Sequence, residues 1–321
     1  MPPAATASPA IAVRGLTKSY GGLTAVDGLD LTVERGETFA LLGPNGAGKT
    51  TTVECCEGYR RPDAGQVAVL GLDPRRDARR LRPRVGLMLQ EGGVYPMARP
   101  AEMLRLFAAF HRDPLDPDAL LERVGLDGSR GTRFRDLSGG QKQRLSLALA
   151  VIGRPEVVFL DEPTASLDPV ARRLTWQHIR ELRAEGVTVV LTTHLLDEAE
   201  ELADRVAIID HGRLVALGTP DELTHTSRDE LEFSARPGLD LERLSQKLEA
   251  RVDEDRPGRY IIHAPNTPAL VERLASWLAR EDVVLGELKA GKRSLEDVFL
   301  RITAEESARR AEVDEATEPA R

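Results

Sequence analysis

Cysteine is almost missing from this sequence: its 321 residues contain two, Cys55 and Cys56. Chain neighbours are poorly placed to bridge each other, so a disulfide framework is excluded and the composition suits a reducing compartment. Aromatic residues are scarce too, at 4%. Basic charge is in deficit, with 44 Lys and Arg against 52 Asp and Glu and a net charge of -8. That balance argues against whole-protein attraction to a polyanion, and no nucleic-acid partner is expected. Long apolar runs are also lacking: Val157–Leu160 and Val187–Leu191 fall far short of the roughly 20 residues that span a bilayer. The start, "MPPAATASPAIAV", has neither the basic stretch nor the long apolar segment of a secretory signal, which leaves the chain expected in the cytoplasm.

What is present is an alternation of short apolar runs with longer helical stretches, from Ile11 to about Leu223. This is the pattern of an α/β domain with a largely parallel sheet. Its principal strands are expected at Thr38–Leu42, Val85–Leu89, Val157–Leu160, Val187–Leu191 and Val206–Ile209. His211-Gly212, between two apolar segments of "RVAIIDHGRLVALGTPDEL", reads as a hairpin turn and gives the sheet an antiparallel margin. After Thr226 the pattern changes: "LEFSAR", "RYIIHA" and "VVLGELK" read as strands, "DLERLSQKLEA" and "TPALVERLASWLAR" as helices. Leu295, Val298, Phe299 and Ile302 then recur at helical spacing. The expected organisation is a flexible arm (1–10), an α/β domain (11–226), a small α+β domain (227–302) and a polar, disordered tail (303–321).

Gly43-Pro44-Asn45-Gly46-Ala47-Gly48-Lys49-Thr50 fits G-x-x-x-x-G-K-[ST], follows the apolar strand "TFALL" and opens a helix, the context this motif needs. Glycines let the backbone curl until successive N–H groups point at phosphates, and the helix N-terminus adds partial positive charge. Lys49 is placed to reach the β- and γ-phosphates and Thr50 to ligate Mg²⁺, with Thr51 counted in the same nucleotide site.

A nucleotide loop does not say what the nucleotide is for. Hydrolysis needs one carboxylate for the metal and another to orient or activate water. In "VVFLDEP", four apolar residues read as a buried strand, and Asp161 and Glu162 emerge at its C-terminal end, where open α/β sheets bind ligands. Asp161 is the metal candidate and Glu162 the base. By itself an Asp-Glu pair after a strand is more often a helix cap or a solvated loop; the phosphate loop reverses those odds.

Leu137-Ser138-Gly139-Gly140-Gln141 follows, ahead of the amphipathic "KQRLSLALAVIGRP", and could form a second phosphate contact. With these motifs in this order, Ile11 to about Leu223 resembles the nucleotide-binding subunit of an ATP-binding-cassette (ABC) transporter. The resemblance implies a P-loop NTPase cassette, a mixed sheet plus helical subdomain, that binds and hydrolyses ATP with Mg²⁺. It gives Tyr20 of "TKSYGG" the role of an aromatic stacked on adenine, and Gln90 that of a sensor of Mg²⁺ and the attacking water. His194 becomes the residue that bonds the γ-phosphate, and Asp168 of "SLDP" part of a loop crossing to a second subunit. Ser138, Gly139, Gly140 and Gln141 then close on ATP held by the other copy, so a homodimer with two competent sites is implied.

One phosphate loop and one "LSGGQ" exclude the two-cassette translation-factor arrangement, and the modest segment from Gln90 to Ser138 excludes the long insertions of the chromosome and repair branch. The resemblance then implies an integral membrane permease on a separate chain, received in this family by the region matching "EGGVYPMARPAEMLRLFAAFH", with its exposed-looking Tyr95, Pro96 and Met97. The chain would then lie peripherally on the cytoplasmic face of the plasma membrane. "LQEGGVYP", "SGGQKQRLSLALA" and "SLEDVFLRIT" look like bacterial ABC-2-type export subunits, including the daunorubicin-type drug-resistance branch. A drug or hydrophobic natural product is the implied cargo. Lipid, polysaccharide or ion export, and a non-transport ATPase acting on a soluble partner, are the alternatives. The small C-terminal domain is expected to strengthen dimerisation or docking, with regulation as its second reading.

Overall fold

Short apolar strands build the centre of the protein, and what flanks them decides how far each extends. The computed structural model describes residues 8–89, 93–165, 167–224, 230–290, 295–296 and 298–300. Cα packing divides the chain into two units, Met1–Pro220 and Asp221–Arg321. The first runs β1 (Ile11–Tyr20), β2 (Leu23–Val33), β3 (Thr38–Leu42), α1 (Lys49–Glu57), β4 (Ala64–Val69), α2 (Ala78–Leu81), β5 (Val85–Met88), α3 (Pro100–Ala108), α4 (Pro117–Arg123) and α5 (Gly139–Val151). It continues through β6 (Val157–Asp161), α6 (Pro169–Ala184), β7 (Thr188–Thr193), α7 (Leu196–Leu202), β8 (Arg205–Asp210) and β9 (Arg213–Gly218), after which comes α8 (Pro220–Thr224).

Every residue of β3 and β7 is buried, as are Val157–Leu160 of β6. Burial on both faces is the mark of a parallel sheet covered by helices. The order is β5-β6-β7-β3-β8-β9, parallel from β5 to β8, with β9 antiparallel to β8 across the turn at His211-Gly212. All five expected strands are present, Thr38–Leu42 with its expected bounds and the other four with shifted ends. β5 stops at Met88, leaving Leu89 exposed beyond it. β7 runs two residues past Leu191, because the hydroxyls of Thr192 and Thr193 find partners inside the fold: Thr192 on Asp161, and Thr193 on the Leu195 N–H at 2.9 Å.

A second sheet, β2-β1-β4, is antiparallel. Its strands are missing from the sequence expectation because β1 carries three register shifts against β2, which break the alternation of inward and outward residues. One core cluster joins both sheets through α1, with Ile11, Leu16 and Leu29 on one side, Val53, Cys55 and Cys56 on the helix, and Phe39, Leu41 and Phe159 on the other. Packing reaches back to Ala10, which is fully buried and accepts a bond from the Leu70 N–H at 2.7 Å. Between β5 and β6, α3 and α4 form the helical part; Met103, Leu104, Leu120 and Leu121 are buried, while Tyr95, Met97, Leu106 and Phe110 stay exposed.

The second unit is β10 (Glu230–Ser234), α9 (Leu241–Leu248), β11 (Arg251–Arg256), β12 (Arg259–His263), α10 (Pro268–Arg280) and β13 (Glu287–Ala290). Its antiparallel sheet has the order β11-β12-β10-β13. A β-α-β-β-α-β chain in that order is a ferredoxin-like split βαβ unit. The strand β11, "RVDEDR", is absent from the expectation, since as a charged edge strand it shows little apolar alternation. The last strand covers Glu287–Ala290 and leaves out Val283–Gly286 of the expected run. Phe233 and Tyr260 stack in the core at 5.0 Å, and the buried Tyr260 hydroxyl donates to the Arg236 carbonyl at 2.8 Å. Leu295 and Val298 are buried, whereas Ile302 and the tail 303–321 lie outside the described residues.

Candidate functional site

The ends of β3, β6 and β7 open on one edge of the six-stranded sheet, and the chemistry-bearing residues follow from that placement. After β3 the chain turns sharply through Gly43–Gly48 into α1. Gly48 has φ 99°, a left-handed conformation that disfavours any side chain, and a Cβ there would fall 2.3 Å from the Ala25 carbonyl oxygen. At Gly43 a Cβ would meet the Ile209 carbonyl oxygen at 2.2 Å. Gly212 donates to the Ala47 carbonyl at 2.9 Å while its own carbonyl accepts from the Asp27 N–H at 2.9 Å. The β8–β9 turn thus braces the loop against β2. No side chain caps α1 and no acid lies in its first turn, so its leading N–H groups remain available to an anion.

Lys49 is buried, and its Nζ donates to the Gly43 and Pro44 carbonyls at 2.7 and 3.0 Å, inside the curl of the loop. Burial lowers its pKa, while the nearby Glu162 and Asp161 pull it back up. Thr50 Oγ1 lies 3.5 Å from both oxygens of Asp161, long for a hydrogen bond, and since Thr192 donates to Oδ1, it is Oδ2 that keeps most of its capacity for another partner. Burial raises the Asp161 pKa and the Glu162 charge adds to the rise; the hydrogen bond from Thr192 opposes it.

Glu162 leaves β6 at φ 48°. Its N–H is held by the carbonyl and the hydroxyl of Thr192, each at 3.1 Å, and its carbonyl accepts from Gln143 Nε2 at 3.4 Å. That fixes the backbone and sends the carboxylate toward His194, whose Nδ1 is 3.1 Å from Glu162 Oε1. Lys49, Thr50, Asp161, Glu162 and His194 therefore converge. Thr192 and Gln143 are the residues sequence reasoning missed. The parallel pairing of Asp161 with Thr192 is what brings the threonine in, and a long-range register of that kind has no local signal.

Ser138 caps α5: its Oγ accepts from the Gln141 N–H at 3.3 Å, and Gln141 Oε1 accepts from the Ser138 N–H at 2.9 Å. Gln141 Nε2 goes to Ser129 at 2.9 Å, so this side chain is committed to the loop's own geometry. Gly140 packs on α6, where a Cβ would sit 2.9 Å from that of Ala171. Among the described residues no hydrogen bond joins Ser138, Gly139 or Gly140 to Lys49 or Thr50. Asp168 caps α6 by accepting from the N–H groups of Val170 and Ala171, both at 2.9 Å. Tyr20 ends β1, partly exposed, with Lys18 Nζ and the Arg60 guanidinium 5.3 and 5.8 Å from its ring centre. Thr51 lies in the first turn of α1. Gln90 is outside the described residues.

Residues 26–165 match the family described as ABC transporter. A daunorubicin resistance ATP-binding protein, DrrA3 of Streptomyces coeruleorubidus, is 38% identical over 311 residues, 94% of this chain and 98% of that protein. The chain belongs to the ABC transporter family. It is an ATPase, the ATP-binding subunit of a transporter. Another relative, the Nod factor export ATP-binding protein I of Ralstonia nicotianae, is 39% identical over 311 residues, 95% of this chain and 97% of that one. Among solved structures, the ATP-binding subunit of an ABC transporter superposes with a TM-score of 0.61 at 29% identity, covering 66% of this chain and 91% of that one. A bacterial ABC transporter cassette solved as a dimer gives 0.59 at 25% identity, covering 65% and 98%. Among the described residues no helix is long and apolar enough to cross a membrane.

Proposed function

We propose that two copies of this chain bind two Mg-ATP head to tail on the cytoplasmic face of a membrane, and that hydrolysis drives export of a drug or hydrophobic natural product through a permease on a separate chain. The observation that carries the catalytic part is the convergence of Lys49, Asp161, Glu162 and His194 beside an uncapped, glycine-curled helix N-terminus. The donor set fits a hard cation: one hydroxyl and one carboxylate with spare acceptor capacity. Among the described residues no group of three side chains could hold a metal by itself. Mg²⁺ held by Thr50 and Asp161 would take its remaining oxygens from the nucleotide and water, and it would neutralise charge on the phosphates.

This chain's residues do the rest. The loop N–H groups and Lys49 hold the phosphates, Glu162 orients and deprotonates the attacking water, and His194 positions Glu162 and meets the γ-phosphate. Ser138, Gly139, Gly140 and Gln141, already ordered as a helix cap, serve the partner copy's nucleotide, and Asp168 lies on the loop facing it. Tyr20, partly exposed with Lys18 and Arg60 near its ring, takes the adenine, and Gln90 senses metal and water. Support for the dimer comes from the dimeric cassette above, and support for the cargo from the drug-resistance relatives. Relatives named for Nod factor export keep a cargo of that kind as the second reading. The test is reconstitution in proteoliposomes with the membrane protein encoded beside it. ATP-dependent movement of daunorubicin-like compounds is expected; an ATPase-competent complex that moves none of them would overturn the cargo.

A further inference from the structure

Glu198 on α7 is a carboxyl group that the proposed chemistry leaves unused, yet its exposure is 0%. Its helical neighbours behave as surface acids should: Asp197 pairs with Arg172 at 3.1 Å, and Glu201 with Arg180, both on α6. Glu198 instead turns inward. Its Oε1 accepts from Thr164 Oγ1 at 2.6 Å and from Trp176 Nε1 at 3.1 Å. The Thr193 hydroxyl lies close enough to favour the charged form, although burial dominates and raises the pKa. Oε2 has no hydrogen-bond partner. Burying a carboxyl with half of its acceptors unused is costly, and an apolar residue would fill the same space more cheaply.

The partners show what that cost sustains. Thr164, itself fully buried, sits two residues after Glu162 in a loop of two tight turns, Ala165 N–H to the Glu162 carbonyl and Leu167 N–H to the Thr164 carbonyl. The loop ends at Asp168, which caps α6, the helix that carries Trp176. Thr193 directly precedes His194. One carboxyl therefore bonds the loop after Glu162 and α6, which Asp168 caps, and lies beside the strand end that leads into His194.

We infer that Glu198 is a positioning residue for ATP hydrolysis, pinning the loop after Glu162, α6 and the end of β7 in one arrangement so that Glu162 and His194 stay paired. The inference rests on the roles proposed above for those two residues. It is tested on the full chain with Glu198→Ala, Glu198→Gln, Thr164→Val and Trp176→Phe, by steady-state ATPase kinetics, calorimetric ATP binding and thermal unfolding. Glu198→Ala should lower kcat on the order of 10- to 100-fold, the scale of a small misplacement, with ATP affinity unchanged. Glu198→Gln should recover most of kcat, because its amide oxygen accepts both bonds and its nitrogen occupies the unpartnered position. Thr164→Val, which leaves α7 intact, should lower kcat in the same direction, and it carries the test with Glu198→Gln if Glu198→Ala does not fold. Wild-type kcat in Thr164→Val, a Gln variant as impaired as Ala, or a loss in ATP affinity in place of kcat would each overturn the inference. A wild-type chain that binds ATP but does not hydrolyse it would overturn the catalytic reading beneath it.

Discussion

Burial works against the charge on Lys49, and the two acids beside it, Glu162 and Asp161, work in its favour. Asp161, buried and next to Glu162, is pushed toward protonation and is returned to the anionic form by a positive partner, which suits a metal ligand. Glu162 faces His194, and the proposed mechanism gives it the role of base. Glu162→Gln should keep ATP affinity and reduce turnover by about 100-fold or more, read as steady-state phosphate release; normal hydrolysis would remove Glu162 from the mechanism. A less obvious residue is Glu57, at the end of α1, whose carboxyl burial pushes up to about 8, with Asp161 and Glu54 adding to the rise. Because the folded state holds that proton more tightly, the stability Glu57 contributes is fully present below its ordinary value of 4.5 and is lost as pH rises through about 8. Glu57→Gln should therefore be more stable than wild type at about pH 9, with the difference closing toward about pH 5, in urea unfolding without nucleotide. Cys55 and Cys56 are buried, and burial raises both thiols, Cys55 to about 11, so neither has the low pKa of a reactive cysteine.

Among the elements, α6 best separates a structural duty from a chemical one, since Asp168 at its start both caps the helix and lies in a loop assigned to the partner copy. Asp168→Ala should cost about 1 kcal/mol of unfolding free energy, and Asp168→Asn should retain it, because an amide oxygen can still accept from Val170 and Ala171. Activity lost in the Asn variant at wild-type stability would then belong to the interface. The phosphate loop, Asp161 and the five central strands are legible because backbone curvature demands glycine there and burial on both faces demands unbroken apolar runs. Thr192, Gln143 and Glu198 are not, because a threonine at a strand end or a glutamate in "DEAEE" looks the same whether it faces water or the core. β1 and β11 escape for a different reason: register shifts blur the first, and its place at the sheet edge leaves the second charged.

At the scale of the whole molecule, the two halves of the proposed nucleotide site, "LSGGQ" and the glycine loop, stand apart: "LSGGQ" is capped within its own helix, and among the described residues no hydrogen bond joins Ser138, Gly139 or Gly140 to Lys49 or Thr50. If the two halves meet only between copies, Glu162→Gln with ATP should run as a dimer in size-exclusion chromatography and as a monomer without nucleotide, and wild-type activity per chain should rise with concentration. A monomeric Glu162→Gln at saturating ATP would argue for a site completed some other way. The brace between Gly212 and Ala47 bears on a different matter, the chain's tolerance of change. Hairpin tips are ordinarily where insertions do least harm. Here the tip is hydrogen-bonded to the loop proposed to receive the phosphates, with Ala25 packed against both. A single residue inserted between His211 and Gly212 should therefore cripple nucleotide binding as thoroughly as a lesion in the glycine loop, even though more than a hundred and fifty positions of sequence separate the two.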